Sequence, residues 1–273
     1  MNKKKFLGGL VAASALFLAA CGGGNEDITK VTVGVVGEVN EPWEHVIEEL
    51  KEKENIEVTL QKFTDYTTPN TALADGSIDL NSFQTEIFLN NYIDSSGSDL
   101  QVIGYTVMAP LGIYSNKISD VSELEDGATI AIPNDPSNGG RALRLLQTAG
   151  LITVDPEAGL VPSVDDITEN PKNFEITELE SSQTARALDD VAISVINSGM
   201  AVDAGFIPTE DAIFLEPVTE DSKPYYNVIV ARTEEADNEV YQTIVEYYQS
   251  EGTAEVIEES SKGSSIPIWD QVK

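Results

Sequence analysis

The sequence predicts an α/β fold in two lobes with a cleft between them, and three observations carry that expectation. Apolar, β-branched runs alternate with helical patterns along nearly the whole chain, the pattern of a mostly parallel sheet covered by helices. About 250 residues follow the N-terminal segment, enough for one large or two medium domains. Two connections of similar character, at Ala109 and Pro110 and at Lys223 and Pro224, read as crossovers. A chain with two crossovers builds part of one lobe, leaves to build a second and returns, and ligands commonly sit between such lobes.

In chain order, Lys3, Lys4 and Lys5 precede an uncharged apolar stretch from Phe6 to Ala20, the signature of a secretory signal. The stretch is shorter than the roughly 20 residues that span a bilayer. It ends in Leu18, Ala19, Ala20 and Cys21, which resembles the bacterial lipobox, and Cys21 is the only cysteine of the 273 residues. The resemblance implies that residues 1–20 are removed and that Cys21 becomes a lipidated first residue, holding the protein to the membrane on the side facing away from the cytoplasm. Residues 21–29 begin Cys-Gly-Gly-Gly and read as a flexible tether.

Beyond the tether, Lys30 to Val36 reads as a strand, Pro42 to Lys53 as a helix with proline in its first turn, and Ile56 to Gln61 as a strand. Further strands are predicted at Gln101 to Val107, Gly112 to Tyr114, Ala128 to Ile132, Phe174 to Leu179, Val191 to Val195, Ala212 to Leu215 and Asn227 to Ala231. Helices are predicted at Phe83 to Ile93, Arg141 to Thr148 closed by Gly150, and Val240 to Ser250. No internal repeat interrupts the pattern.

Composition excludes several functions. Lys and Arg number 16 against 47 Asp and Glu, a formal charge of −31 that becomes −34 once the three lysines of residues 1–20 are gone. Such a surface repels phosphate, so nucleic acid is not a partner. With the one cysteine, Cys21, read as lipidated, the single histidine, His45, has no free thiol or second imidazole to work with, and His and Cys are too few for a zinc site. No EF-hand loop or phosphate-binding glycine loop is present. No cofactor or metal is expected, and no catalysis. Asp165 with Asp166, and Asp189 with Asp190, read as acids at helix boundaries. His45 reads as a surface or groove-lining side chain.

One segment is built for binding. Pro133 to Arg141, Pro-Asn-Asp-Pro-Ser-Asn-Gly-Gly-Arg, lies between a strand and a helix. Asn134, Ser137 and Asn138 offer side-chain hydrogen bonds, the two glycines allow close backbone approach, and a helix N-terminus offers N–H groups. Arg141 adds a planar fork matched to a carboxylate. The alternative is an ordinary strand-to-helix turn with an exposed arginine.

These residues recur in an ordered series of motifs: Phe63-Thr64-Asp65-Tyr66 with Pro69, Asn70, Ala72 and Leu73; Asn81 to Gln84; Asn134 to Pro136 with Asn138, Gly140 and Arg141; Glu169 to Asn173; Arg186 with Leu188 to Asp190; Val195 to Asn197; and Tyr226 to Ile229. The series resembles the NlpA, or MetQ-type, lipoproteins, the substrate-binding components of methionine ABC importers. The resemblance implies a periplasmic-binding-protein-like fold, with 30–109 and 226–273 as one lobe and 110–225 as the other. It implies that Arg141 binds the α-carboxylate of a free amino acid, that Asn138, Asn197 and Asn227 hold its polar groups, and that Tyr66, Phe83 and Phe88 wall its side chain. Thr85 stands where the family usually has histidine, and Phe88 near where it has tyrosine, so the pocket differs in size and polarity from the family pattern. The expected ligand is methionine or a close analogue, with another amino acid or a peptide such as Gly-Met as the alternative. The implied partners are an ABC permease with its ATPase, and the receptor itself is expected to be a monomer. Rival readings are an adhesion lipoprotein, which requires broad exposed apolar patches, and a hydrolase using paired carboxylates, which requires two acids facing a cleft.

Overall fold

The computed structural model describes residues 28–272; the signal segment, Cys21 and most of the tether lie outside them. The chain opens with β1 (Thr29–Val36), α1 (Glu41–Lys53), β2 (Ile56–Phe63), α2 (Pro69–Ala74), β3 (Leu80–Thr85), α3 (Glu86–Ser96) and β4 (Leu100–Met108). After a short connection come β5 (Gly112–Tyr114), β6 (Thr129–Pro133), α4 (Pro136–Thr148), β7 (Thr153–Val154), β8 (Ile167–Glu169), β9 (Glu175–Leu179), α5 (Ser181–Thr184), β10 (Ile193–Ile196), α6 (Ser198–Asp203), α7 (Pro208–Asp211) and β11 (Phe214–Leu215). A second connection leads to β12 (Tyr226–Arg232), α8 (Glu239–Tyr248), α9 (Glu251–Ser261) and β13 (Ile266–Pro267).

The strands form two main sheets, β13-β4-β12-β3-β1-β2 and β11-β5-β10-β6-β9. The first draws on both ends of the chain and the second on its middle. In β1, alternation puts Val31, Val33 and Val35 on one buried face. Against it α1 lays Trp43, Val46 and Leu50, spaced three and four apart as a helix stripe requires, and α8 adds Tyr241, Ile244 and Tyr248. A separate core in the second sheet joins Ile130, Ile132, Ile193 and Val195 to Leu143 and Leu146 of α4. Each such side chain contributes about 1.5–3 kcal/mol on burial, so each sheet has its own hydrophobic support.

Four sequence expectations require correction. The sheets are mixed, not mostly parallel: β1 pairs parallel with β2 and β3 and β6 pairs parallel with β9 and β10, but β12 runs antiparallel to β3 and β4, and β5 antiparallel to β10 and β11. The reversed strands are those flanking the two connections, where the chain changes sheet without a covering helix. Phe83 to Thr85 is strand, and the helix starts at Glu86; Thr85 stays extended and its Oγ1 caps the Phe88 N–H at 3.3 Å. The helix expected from Arg141 begins five residues earlier, at Pro136, because Asp135 caps it and proline suits its first position. The helix expected to Ser250 stops at Tyr248, and Ser250 caps a further helix, α9.

Candidate functional site

A cavity of about 230 Å³ is lined by all eight residues named from the sequence: Tyr66, Phe83, Thr85, Phe88, Asn138, Arg141, Asn197 and Asn227. They converge from both sheets for identifiable reasons. Thr85 and Asn227 are directly opposed partners of β3 and β12, so one register places both at the same edge. Asn227 Nδ2 donates to the Val107 carbonyl at 3.2 Å, which fixes the amide on β4. Tyr66 follows β2 in a turn held by Asp65, whose Oδ1 accepts from the Thr67 and Thr68 N–H groups at 2.8 and 2.9 Å.

The other polar side chains follow from a parallel pair. β6 and β10 run side by side, with Ile193 opposite Ile130, so their C-terminal ends open at the same edge, the usual position of ligand sites in such sheets. α4 leaves β6 there with Asn138 and Arg141 one turn apart on one face. β10 ends at Asn197, which precedes α6. Asn197 Nδ2 donates to Asn138 Oδ1 at 2.8 Å.

The apolar wall consists of three mutually touching rings. Tyr66 lies 5.8 Å from Phe83 and 6.2 Å from Phe88, and Phe83 meets Phe88 edge-on at 5.9 Å between centroids, within the favourable range for aromatic pairs. Burial pushes the Tyr66 hydroxyl above the usual tyrosine range, with the negative charges of Asp135 and Asp203 adding to it. The ring therefore stays neutral.

Arg141 is 3% exposed and is held on three sides. Its Nε and Nη2 donate to the two carboxylate oxygens of Glu216 at 3.0 and 2.5 Å, and Nη2 also donates to the Ala109 carbonyl at 3.0 Å. The guanidinium lies 4.5 Å from the Tyr225 ring centroid. Ala109, Glu216 and Tyr225 all belong to the two connections between the sheets, so the cationic centre of the cavity is braced by the segments that join them. Nη1 has no hydrogen-bond partner among the described residues.

The segment from Pro133 to Arg141 is organised differently from the expectation. Asn134 and Ser137 do not line the cavity. Asp135, not a ligand, occupies the helix end: its Oδ1 accepts the Asn138 N–H at 2.8 Å and the Ser137 hydroxyl at 2.8 Å. The glycines serve packing. A Cβ on Gly139 would meet the Pro133 carbonyl oxygen at 2.8 Å, and one on Gly140 the Val161 Cα at 2.6 Å.

Glu216, and motif residues to which no site role was assigned, complete the surroundings. Glu216 and Asp135 are two. A third group is the buried triad Asn70, Asn81 and Gln84, in which Asn70 Nδ2 donates to Gln84 Oε1 at 2.7 Å and Asn81 Nδ2 to Asn70 Oδ1 at 2.8 Å; it ties α2 to β3, and Gln84 itself lines the cavity. Contacts also span the two sheets: the Glu38 N–H donates to Asp203 Oδ1 at 3.1 Å, and Tyr66 and Val36 pack against Tyr114, Ile196 and Met200. The two halves are thus closed over the cavity.

The other candidates lie elsewhere. His45 Nε2 is 3.7 Å from Glu49 Oε2 on α1 and does not line the cavity. Asp166 accepts from the Ser163 N–H and hydroxyl at 2.7 and 2.8 Å as a cap, and Asp189 accepts from Asn116 at 2.9 Å. Among the described residues no cluster of three His, Cys, Asp or Glu could hold a metal, and no helix is long and apolar enough to cross a membrane. Among the described residues the exposed large apolar side chains are Ile28, Val39, Leu160, Val161, Val218, Ile266 and Val272.

Two sheets with separate cores, joined by two connections and closed over a polar and aromatic cavity, define the class of two-lobed substrate-binding proteins. Residues 31–269 match the NlpA lipoprotein family, and the chain belongs to it. It is 43% identical over 259 residues to the probable D-methionine-binding lipoprotein MetQ of Vibrio cholerae serotype O1, covering 94% of this chain and 95% of that one. A nutrient binding protein from Burkholderia cenocepacia, solved bound to methionine, superposes with a TM-score of 0.83 at 41% identity, covering 87% of this chain and 99% of the other. The substrate binding protein of a methionine transporter from Streptococcus pneumoniae gives a TM-score of 0.83 at 37% identity, covering 88% and 96%.

Proposed function

We propose that this protein captures methionine or a close analogue outside the cytoplasm and delivers it to an ABC permease and its ATPase, tethered to the membrane by a lipid on Cys21. The observation that carries the reading is a single cavity in which a buried arginine with one uncommitted nitrogen shares the lining with three aromatic rings. A carboxylate pairs with the first and a thioether side chain packs on the second, where sulfur–aromatic contacts are favourable. A cavity of about 230 Å³ is small beside the roughly 300–1,000 Å³ of sites for drug-sized ligands, in keeping with one amino acid.

In this reading Arg141 binds the α-carboxylate, Asn138, Asn197 and Asn227 form the polar lining, and Tyr66, Phe83 and Phe88 form the apolar wall. Thr85 lends the lining its backbone and methyl group, since its hydroxyl caps α3. The lobes are 30–109 with 226–273, and 110–225. Opening and closing about the two connections admits the ligand, and closure excludes water and strengthens each charged contact. The work is binding, without a reaction, by a monomer. The names of the relatives support this reading, as binding proteins of methionine and of a methionine transporter.

The test is a thermal-shift and calorimetric panel on the purified chain with the twenty amino acids, both methionine enantiomers and Gly-Met. Methionine should raise the melting temperature with concentration, by the equivalent of about 2.7 kcal/mol at a hundredfold excess over Kd. No shift with any member at millimolar concentration would overturn the reading, and a shift with Gly-Met alone would reassign the ligand.

A further inference from the structure

The cavity contains an acceptor that the protein leaves without a donor. Asn197 is 8% exposed, lines the cavity, and its Oδ1 has no hydrogen-bond partner. Buried amide oxygens are normally paired. Which way the amide points is therefore decisive, because a reversed amide would present two N–H donors instead.

Three side chains set that direction. Asp135 is an acceptor throughout, and it is fixed in place by the Ser137 hydroxyl and the Asn138 N–H. Asn138 Nδ2 donates to both of its oxygens, at 3.1 and 3.0 Å. An ionised carboxylate can only accept, so Asn138 has one satisfying orientation, with its NH₂ toward Asp135 and its oxygen toward Asn197. Asn197 must then answer with its own NH₂, at 2.8 Å, and its oxygen, buried in a residue that lines the cavity, is left without a donor.

The geometry points to Asp135 as a positioning residue for the ligand's α-ammonium: through Asn138 it sets the polarity of the Asn197 amide, so that the cavity offers an acceptor where an amino acid carries a donor. This rests on the amino-acid reading given above. Asp135 touches no ligand; it acts at two removes, and its negative charge is relayed as an oriented dipole.

The test is Asp135→Asn, measured by calorimetry on the purified chain with two ligands: methionine and its des-amino analogue 4-(methylthio)butanoate, which keeps the carboxylate and the side chain but has no ammonium. Asparagine is a good helix cap, so the fold should survive. Its new NH₂ opposes that of Asn138, and relief requires Asn138 and then Asn197 to reverse, turning a donor toward the ammonium. Affinity for methionine should fall roughly 10- to 150-fold, the worth of one charge-assisted hydrogen bond. Affinity for the des-amino analogue should change far less, so the preference for the amine collapses. Asp135→Asn combined with Asn197→Asp should restore that preference, because the reversed Asn138 then meets a carboxylate that still presents an oxygen to the cavity. Equal losses for both ligands, an unchanged methionine affinity, or no rescue in the double variant would overturn the relay while leaving the amino-acid reading intact. A wild-type chain that binds neither ligand would overturn that reading and the relay with it.

Discussion

Removing the charge of Arg141 is the sharpest test of the proposal that the cavity holds a carboxylate, but the arginine cannot be removed alone. Its Nε and Nη2 hold Glu216 at 3.0 and 2.5 Å, with side-chain exposures of 4% for the arginine and 13% for the glutamate. Arg141→Ala strands a buried carboxylate, a loss of about 3–5 kcal/mol against a typical total of about 5–15. Lost binding in that variant could simply reflect unfolding. The double substitution Arg141→Met with Glu216→Gln removes both charges at similar volume, and such replacements of a buried pair are often neutral. The amide oxygen that the second substitution introduces can still accept the Leu111 N–H, which the glutamate accepts at 3.0 Å. The double variant should therefore melt close to wild type. Its ligand loses the two N–H donors of Nη1, each worth about 1.5–3 kcal/mol to a carboxylate. The methionine Kd should rise roughly 10²- to 10⁴-fold by isothermal titration calorimetry, with a far smaller change for methioninol, which keeps the ammonium and side chain but has a hydroxymethyl group in place of the carboxylate. A folded double variant that binds methionine within tenfold of wild type would refute the assignment.

Other perturbations probe the supports of the site. Asn70→Ala removes the acceptor of Asn81 Nδ2 and the donor to Gln84 Oε1 and should cost about 2–6 kcal/mol, since each stranded buried polar group costs about 1–3; chemical denaturation with an unchanged m-value checks it. Gly140→Ala drives a methyl group into the Val161 and Pro162 backbone at 2.6–3.0 Å and should destabilise by about 1–3 kcal/mol, with a lowered melting temperature as the readout. Phe88→Ala opens the ring cluster and should move ligand preference toward bulkier apolar side chains; an unchanged ranking of amino-acid affinities would count against the aromatic wall. Hydrogen bonds from the Ser163 N–H and hydroxyl hold the Asp166 carboxyl below the usual range. At Asp65, burial pushes the carboxyl up, but hydrogen bonds from the Thr67 hydroxyl and the Thr68 and Thr67 N–H groups outweigh it and the net shift is down. Groups depressed in the folded state add stability that is fully present above the unfolded value near ~3.9 and is lost as pH falls through the folded value. Melting temperatures should thus decline below about pH 4, and Asp65→Asn should flatten that decline.

Much of the architecture was legible because it is locally encoded. β1 and β12 carry the apolar content of buried strands, and α1 carries the spacing of a helix that buries one stripe. β3 was not legible: Leu-Asn-Ser-Phe-Gln-Thr has little strand propensity, and what makes it extended is pairing to β1 on one side and β12 on the other. The direction of β5 and β12 was likewise invisible, since a strand's own residues do not encode which neighbour it meets.

The sequence by itself named eight residues that line the cavity, six of them in motifs that resemble a family and two, Thr85 and Phe88, where the chain departs from that pattern, together with the chemistry they offer. Only the tertiary structure decided how those residues are used. Arg141 could be read as a carboxylate fork, but Glu216, 75 residues away, takes one edge of it and leaves one nitrogen free. Asp135 looked like part of a loop open to ligand, yet it fills the helix end and orients two amides beyond it. Side-chain type is a local property, whereas the partner that fixes a donor or an acceptor arrives only when distant strands are brought to the same edge.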